Sequence, residues 1–506
     1  MGATSLSNIS SAAVLGLDAI LVEVEVDISN GLPNFKIVGL PDKAVEEARE
    51  RVRSAIKNSG FQMPDRRITV NLAPADVKKM GPAYDLPIAI GLLLASGQLN
   101  PYPIKSLLIG ELALNGDIRP AAGIVSIAAF AKQEGYEEIY LPIENAAEAG
   151  LIDGLHVFPV RNLRDLVLHW RNEKPLTPQP AFDAAHATET DYILDMKDIA
   201  GQAHAKRALT IAAAGAHNIL MSGPPGSGKT MLAQTLPTIL PRLTHAEILE
   251  ITKIYSVAGL LSGGKVANLR PFRSPHHTAS YVAIAGGGNW PQPGEITLAH
   301  RGVLFLDELP EFPRQAIEVL RQPLEDGLVH IARSSGKLTF PARFMLVAAK
   351  NPCPCGFYGD PEKACTCTAG QIASYHKKIS GPLLDRIDIH IEVPRLAYSE
   401  LRSSNPEENS ATIRSRVETA RSLQTNRFAH DLIRSNSEMS SKQVKLYCPL
   451  STEAEKLLET AVEKYHLSPR SYIRIIKLAR TIADLENSSN IEPNHLAEAI
   501  RYKVSD

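Results

Sequence analysis

One stretch constrains this chain more than any other: Gly223, Pro224, Pro225, Gly226, Ser227, Gly228, Lys229 and Thr230 in succession. It fits G-x-x-x-x-G-K-[ST], follows an apolar run (NILMS, 218–222) and precedes a helix-like one (MLAQTL). That strand–loop–helix context makes the pattern a phosphate-binding loop. The glycines let backbone N–H groups converge on phosphate oxygens, and the following helix adds the positive end of its dipole. Lys229 is placed to reach the β- and γ-phosphates of ATP, and Thr230 to ligate Mg²⁺.

Downstream, Val303–Glu308 (VLFLDE) reads as an apolar strand ending in two carboxylates. Asp307 would hold Mg²⁺ and Glu308 would polarise the attacking water, since ATP hydrolysis rests on positioning and charge stabilisation. Asn351 follows a further apolar strand, FMLVAA. Ligands collect at the carboxyl ends of parallel strands, so its amide is placed to orient that water or sense the γ-phosphate. The alternative is a turn cap before Pro352. Arg386, in LLDRIDI, is a candidate arginine finger for a neighbouring subunit, with a surface ion pair to Asp385 or Asp388 as its alternative. Arg470 opens a helix and would contact phosphate from a lid; Arg474 and Arg480 on the same helix compete for that role.

The rest of the chain is organised around this engine. Residues 1–170 read as a mixed α/β unit, with strands at Ile20–Ile28, Ile68–Leu72 and Glu138–Leu141. Its helices are expected at Lys43–Asn58, at Asp85–Ala95 and around Ile124–Gly135. Residues 171–190 hold three prolines without a period and read as a linker. Over 191–395, strands at Asn218–Ser222, Val303–Asp307, Phe344–Ala349 and Asp388–Val393 alternate with helices, which predicts a parallel sheet. Residues 396–506 read as a helical lid, Leu467–Glu486 being its best amphipathic segment. The expected fold class is α/β in three domains, in line with 506 residues.

Lys+Arg total 54 and Asp+Glu 55, which excludes a disordered or supercharged chain but leaves room for a local basic surface. No run reaches the roughly 18 apolar residues of a membrane helix. The first basic residue is Lys36, so a signal-peptide n-region is missing and a cytoplasmic location is expected. Four of the five cysteines are Cys353, Cys355, Cys365 and Cys367. Four thiolates in one short loop suit a structural tetrahedral Zn²⁺, the alternative being reduced free thiols. Cys448 reads as a small buried residue. His276 and His277 are adjacent, so on a strand they face opposite ways and read as structural or pore-lining rather than as ligands of one ion.

The P-loop, the Asp-Glu strand, Asn351, Arg386 and the Arg470 helix together resemble an AAA+ ATPase. RPFRSPHHTAS (270–280), AGGG (285–288), PGEITLAHRGVLFLDELPEF (293–312) and NPCPCG (351–356) resemble its magnesium-chelatase-like branch. With residues 1–170 in front, nearly the whole chain is similar to the ComM/YifB family. That resemblance implies a homo-hexameric ring without a membrane partner. It would use ATP to drive branch migration of single-stranded and branched DNA through a central pore, in natural transformation and recombination, with recombination proteins as partners.

In helicases of this branch a hairpin between the Asp-Glu strand and the Asn points into the pore. Here Leu328–Phe344 has two β-prone arms flanking Ser334-Ser335-Gly336-Lys337. Lys337 at the tip and Arg333 behind it would grip DNA backbone phosphates; a solvated hairpin is the alternative. A Gly-rich insert at Ser256–Gly288, with Lys265 and Arg270, reads as a second pore element or as turns.

Residues 1–170 resemble the proteolytic domain of Lon, a ribosomal-S5-like fold. Aligning GPAYD (81–85) puts Ala83 where Lon has its Ser, and aligning RPAAGIVS (119–126) puts Val125 where Lon has its Lys. Neither can attack a carbonyl or accept a proton, so a non-peptidase domain for assembly or DNA handling is expected. Two other functions share the same engine: a chelatase motor inserting Mg²⁺ into a porphyrin, which the fused first domain speaks against, and a protein-remodelling ATPase.

Overall fold

The computed structural model of the protein describes residues 6–182, 194–261, 265–288, 291–333, 336–360, 362–396, 407–431 and 433–503. The chain divides into two units, one of Met1–Thr188 with Thr244–Asn268, the other of Glu189–Leu243 with Leu269–Asp506.

In the first unit, alternation sets the sheet. Strand β2 (Asp18–Ser29) buries Val22, Val24, Val26 and Ile28 on one face and turns Glu23 and Glu25 to the other. It pairs antiparallel along its length with β1 (Leu6–Leu15) and with β4 (Arg67–Ala73), while β3 (Asn34–Val38) runs parallel to β4. The expected helix over Lys43–Asn58 divides: a turn at Lys43–Glu46, capped by the Asp42 carboxylate, precedes α1 (Ala48–Asn58). Helix α2 (Asp85–Ala95) is apolar all round and buries every residue but Leu94, as such a helix must. A second, parallel sheet joins β5 (Ser106–Leu108), β6 (Glu138–Pro142) and β7 (His156–Val160), with α3 (Ile124–Gln133) and α4 (Leu163–Trp170) beside it in sequence. The start of the expected linker is laid on this unit: Gln179 N–H donates to Val157 O at 2.7 Å and Phe182 N–H to Gly150 O at 3.0 Å. Residues 183–190 of that linker lie outside the described residues.

The second unit is built on β8 (Ile219–Ser222), β9 (Phe272–Arg273), β10 (Val303–Leu306), β13 (Met345–Lys350) and β14 (Ile389–Glu392). They form the expected parallel sheet, in the order β9-β10-β13-β8-β14. Its central strands are continuous apolar runs, as a sheet covered on both faces requires. Between β10 and β13 stands an antiparallel hairpin of β11 (Leu328–Arg333) and β12 (Gly336–Pro341).

Helices α5 (Ala203–Gly215) and α6 (Lys229–Ile239) pack in the same core. So do the C-terminal helices: Ile413, Val417, Ile475, Leu478, Ile482 and Leu496 cluster with Ile219, Val347 and Ile389 of the sheet. The expected boundary at 395/396 is therefore no boundary between compact units.

One segment moves relative to expectation. Residues 244–268, read as part of a continuous 191–395 core, belong to the first unit. Helix α7 (His245–Val257), opened by a Thr244/Glu247 capping box, packs on α3. Ser256 O accepts from Gly123 N–H at 3.0 Å, and Lys253 pairs with Asp18 at 3.0 Å.

Candidate nucleotide site

Strand β8 runs into Gly223, where an added Cβ would lie 2.2 Å from Val393 O, so only glycine lets the loop leave the sheet there. Gly226 and Gly228 take φ of +76° and +91°, which bends the loop into the head of α6. The first N–H groups of α6 have no partner within the helix and offer donors to an anion. The Lys229 ammonium is buried and donates to Gly223 O and Pro224 O at 2.8 Å, with Asn351 Oδ1 at 3.5 Å. Burial lowers its pKa, and Asp307 and Glu308 oppose that shift.

Strand order does the rest. β10 and β13 are neighbours and β13 adjoins β8, with Leu306 opposite Ala348 and Ser222 opposite Lys350. The residues just past each carboxyl end are Asp307 and Glu308, Asn351, and the P-loop, and they fall side by side. Asp307 Oδ2 accepts from the Thr230 hydroxyl at 2.8 Å and its Oδ1 from the Glu308 N–H at 2.9 Å. A hydroxyl and a carboxylate so close are the hard oxygen donors that Mg²⁺ favours, so these two residues fit that ion. Glu308 sits at φ 52°, ψ 46°, a left-handed conformation that costs a residue with a side chain about 1–2 kcal/mol. Its carboxylate is half-exposed, and His277 Nδ1 stands 3.7 Å from it. The sequence alone gives His277 only a structural or pore-lining role. The signal that could have found it is the short edge strand β9, which brings the residues after it to the same rim of the sheet.

Arg386 and Arg470, expected in different roles, meet on one carboxylate. Their guanidinium groups reach Glu325 Oε1 at 2.6 and 2.7 Å. Arg386 is buried and also donates to Pro382 O; its ion pair is with Glu325, not with Asp385 or Asp388. The Arg386 hydrogen bond holds the Glu325 carboxyl below its ordinary range. On helix Pro469–Leu485, Arg474 is taken by Asp388 at 2.6 Å, and Arg480 is buried against Asp484 and Ser488 O. Arg470 is the exposed one of the three.

Of the residues expected on DNA, Lys337 is exposed on β12 opposite Ala332, and Arg333 ends β11 opposite Gly336. Ser334 and Ser335, the turn itself, lie outside the described residues, so Lys337 is on an arm one step from the turn. Lys265 is exposed in the first unit. Arg270 belongs to the second unit and donates to Pro241 O and Arg301 O at 2.6 and 2.7 Å. The insert Ser256–Gly288 is thus divided between units rather than forming one element; its residues 262–264 lie outside the described residues. In the first unit, Ala83 precedes α2 with its O accepting from Gly110 N–H, and Val125 is fully buried in α3.

The four clustered thiols converge. Cys353, Cys355, Cys365 and Cys367 bring their sulfurs within 4.8 Å of one another, the one such metal-competent group among the described residues. Cys448 is buried elsewhere, and burial pushes its thiol up to about 12.

Three family profiles match the chain: one described as magnesium chelatase, subunit ChlI, over residues 195–401, another for subunit ChlI of Mg-chelatase over 24–145, and a C-terminal ChlI profile over 407–503. Competence protein ComM of Haemophilus influenzae is 45% identical over 504 residues, 99% of this chain and 98% of its own. YifB of Salmonella typhimurium is 44% identical over 504 residues with the same coverage. Lon protease 2 of Bacillus subtilis is 24% identical over 164 residues, 29% of each chain. No helix among the described residues is long and apolar enough to cross a membrane.

Proposed function

The chain belongs to the ComM/YifB family of magnesium-chelatase-like proteins, and from that membership we propose that it is an AAA+ ATPase that drives branch migration of DNA. It works as a homo-hexameric ring on single-stranded and branched DNA, during uptake and recombination. The observation that carries this reading is the hairpin Leu328–Pro341, bearing the exposed Lys337. It is inserted between the strand that leads into Asp307 and the strand that leads into Asn351. The hairpin and the strands of the nucleotide site follow one another in the chain within the second unit. The name of the Haemophilus relative, a competence protein, supports the DNA assignment.

In this reading the amides at the head of Lys229–Ile239 and the Lys229 ammonium bind the ATP phosphates. Thr230 and Asp307 hold Mg²⁺, which when bound neutralises phosphate charge. Glu308 accepts a hydrogen bond from the attacking water and Asn351 orients it. Arg386 or Arg470 supplies charge at the γ-phosphate after leaving Glu325. The four cysteines hold a structural Zn²⁺.

A branch-migration assay on a labelled junction with ATP tests it. The chain should resolve the junction, and Lys229→Ala should not. ATP turnover stimulated by unfolded protein, or by partner subunits that insert Mg²⁺ into a porphyrin, but not by forked DNA would overturn it in favour of a remodelling or chelatase motor.

A further inference from the structure

We propose that the four-cysteine loop is a zinc knuckle whose metal braces the nucleotide site. The bracing rests on the reading of Gly223–Thr230 as that site. The metal part rests on the thiols themselves. Cys353 Sγ lies 3.3 Å from Cys355 Sγ and 3.6 Å from Cys365 Sγ, and the last two are 3.6 Å apart. Sulfurs around one tetrahedral zinc, with Zn–S of about 2.3 Å, stand about 3.7 Å apart. The cluster is therefore near ligand spacing already. Backbone N–H groups point at the sulfurs as well: Tyr358 at Cys353 (3.3 Å), Cys355 at Cys367 (3.4 Å) and Cys367 at Cys365 (3.4 Å). Such an outer shell disperses the charge of metal-bound thiolates.

The loop has little else to hold it. Over 351–368 the described residues form no helix or strand, and only Cys353 and Gly356 are buried. A structureless loop of this length in a packed unit calls for a fixing device. Zinc supplies one by tying the Cys353–Cys355 arm to the Cys365–Cys367 arm, with release of the thiol protons.

What the brace supports follows from two contacts. Cys353 is two residues past Asn351, so the metal fixes the chain that carries that amide. Gly356 lies flat against the P-loop: a Cβ there would be 2.5 Å from Pro225 Cδ and 2.7 Å from Cγ, and its φ of +85° suits only glycine. Removing the metal releases the wall behind Pro225 and the anchor of Asn351 together, so nucleotide affinity depends on zinc although zinc touches no nucleotide.

The test uses the purified full chain. Metal analysis should find one zinc per chain. Binding of a fluorescent ATP analogue should weaken at least about tenfold when zinc is stripped with a mercurial and a chelator, and recover when Zn²⁺ is returned after thiol regeneration. Gly356→Ala touches no thiol; it should keep its zinc and bind the analogue more weakly, because its Cβ would press on Pro225 and so reports that this wall bears on the nucleotide site. Absence of zinc would overturn the metal site. Zinc present, with affinity unchanged within twofold on stripping, would overturn the brace while leaving the nucleotide site standing, whatever Gly356→Ala does. A zinc-loaded chain that binds no analogue would overturn the nucleotide reading and the brace with it.

Discussion

Two guanidinium groups, one buried and one exposed, converge on a single carboxylate. Glu325 holds Arg386 and Arg470 through the same oxygen. Its depressed pKa means that the stability it contributes is present above the ordinary glutamate value of 4.5 and lost as pH falls through the lower one. Glu325→Gln leaves the buried Arg386 short of a counter-charge. We expect a loss of about 1–2 kcal/mol, small because Glu325 is itself exposed, read as a lower thermal midpoint at neutral pH. An unchanged midpoint would show that the shared carboxylate holds neither arginine. At this scale the placement of Asp307, Glu308 and Asn351 beside Gly223–Thr230 was legible, because each segment stands where an apolar strand stops. Glu325 and His277 were not. Their partners are far off in sequence, and no local pattern marks a residue whose meaning is its distant neighbour.

Among elements, the hairpin Leu328–Pro341 is the one whose chemistry is exposed. Its register is fixed on six residue pairs, from Leu328–Pro341 to Arg333–Gly336, so Lys337 is presented on a stiff arm. Phosphate contacts of this kind are salt-sensitive. Lys337→Ala should weaken DNA binding and flatten its dependence on salt by about one unit of slope per engaged subunit. The measurement is a binding titration at several salt concentrations; parallel lines for the two proteins would remove the hairpin from the grip. Elements with a strong period were legible: β2 by its alternating valines, α2 by its length of unbroken apolar residues, and the parallel strands by their brevity between loops. Strand β1 was not. Its sequence LSNISSAAVL is small and mild, and only its full-length pairing with β2 makes it a strand. The break at Glu47 escapes for the opposite reason: a clear helical period continues across it.

At the scale of the whole molecule, neither compact unit is continuous in sequence. The excursion 244–268 leaves one unit, packs in the other and returns, carrying Ile248, Ile251 and Ile254 into burial. Each such side chain is worth about 1.5–3 kcal/mol when taken out of water. A protease site engineered between 182 and 194 and then cut should leave two fragments that still co-elute in gel filtration. Clean separation without denaturant would show that the excursion does not hold. The sequence of α7 does not mark this placement: its capping box and periodicity are ordinary, and nothing local says which unit it serves.

That excursion bears on how such a chain can change over generations. Two domains joined end to end meet at one seam, and either can be shed or exchanged by a single recombination event. Here the polypeptide crosses between units three times. An exchange of the first unit would strand α7 without its seat on Ile124–Gln133, and a deletion would leave its isoleucines to water. The two halves are therefore bound to a shared inheritance: a change in one face of α3 must be answered in α7, within the stretch of gene that encodes the second unit.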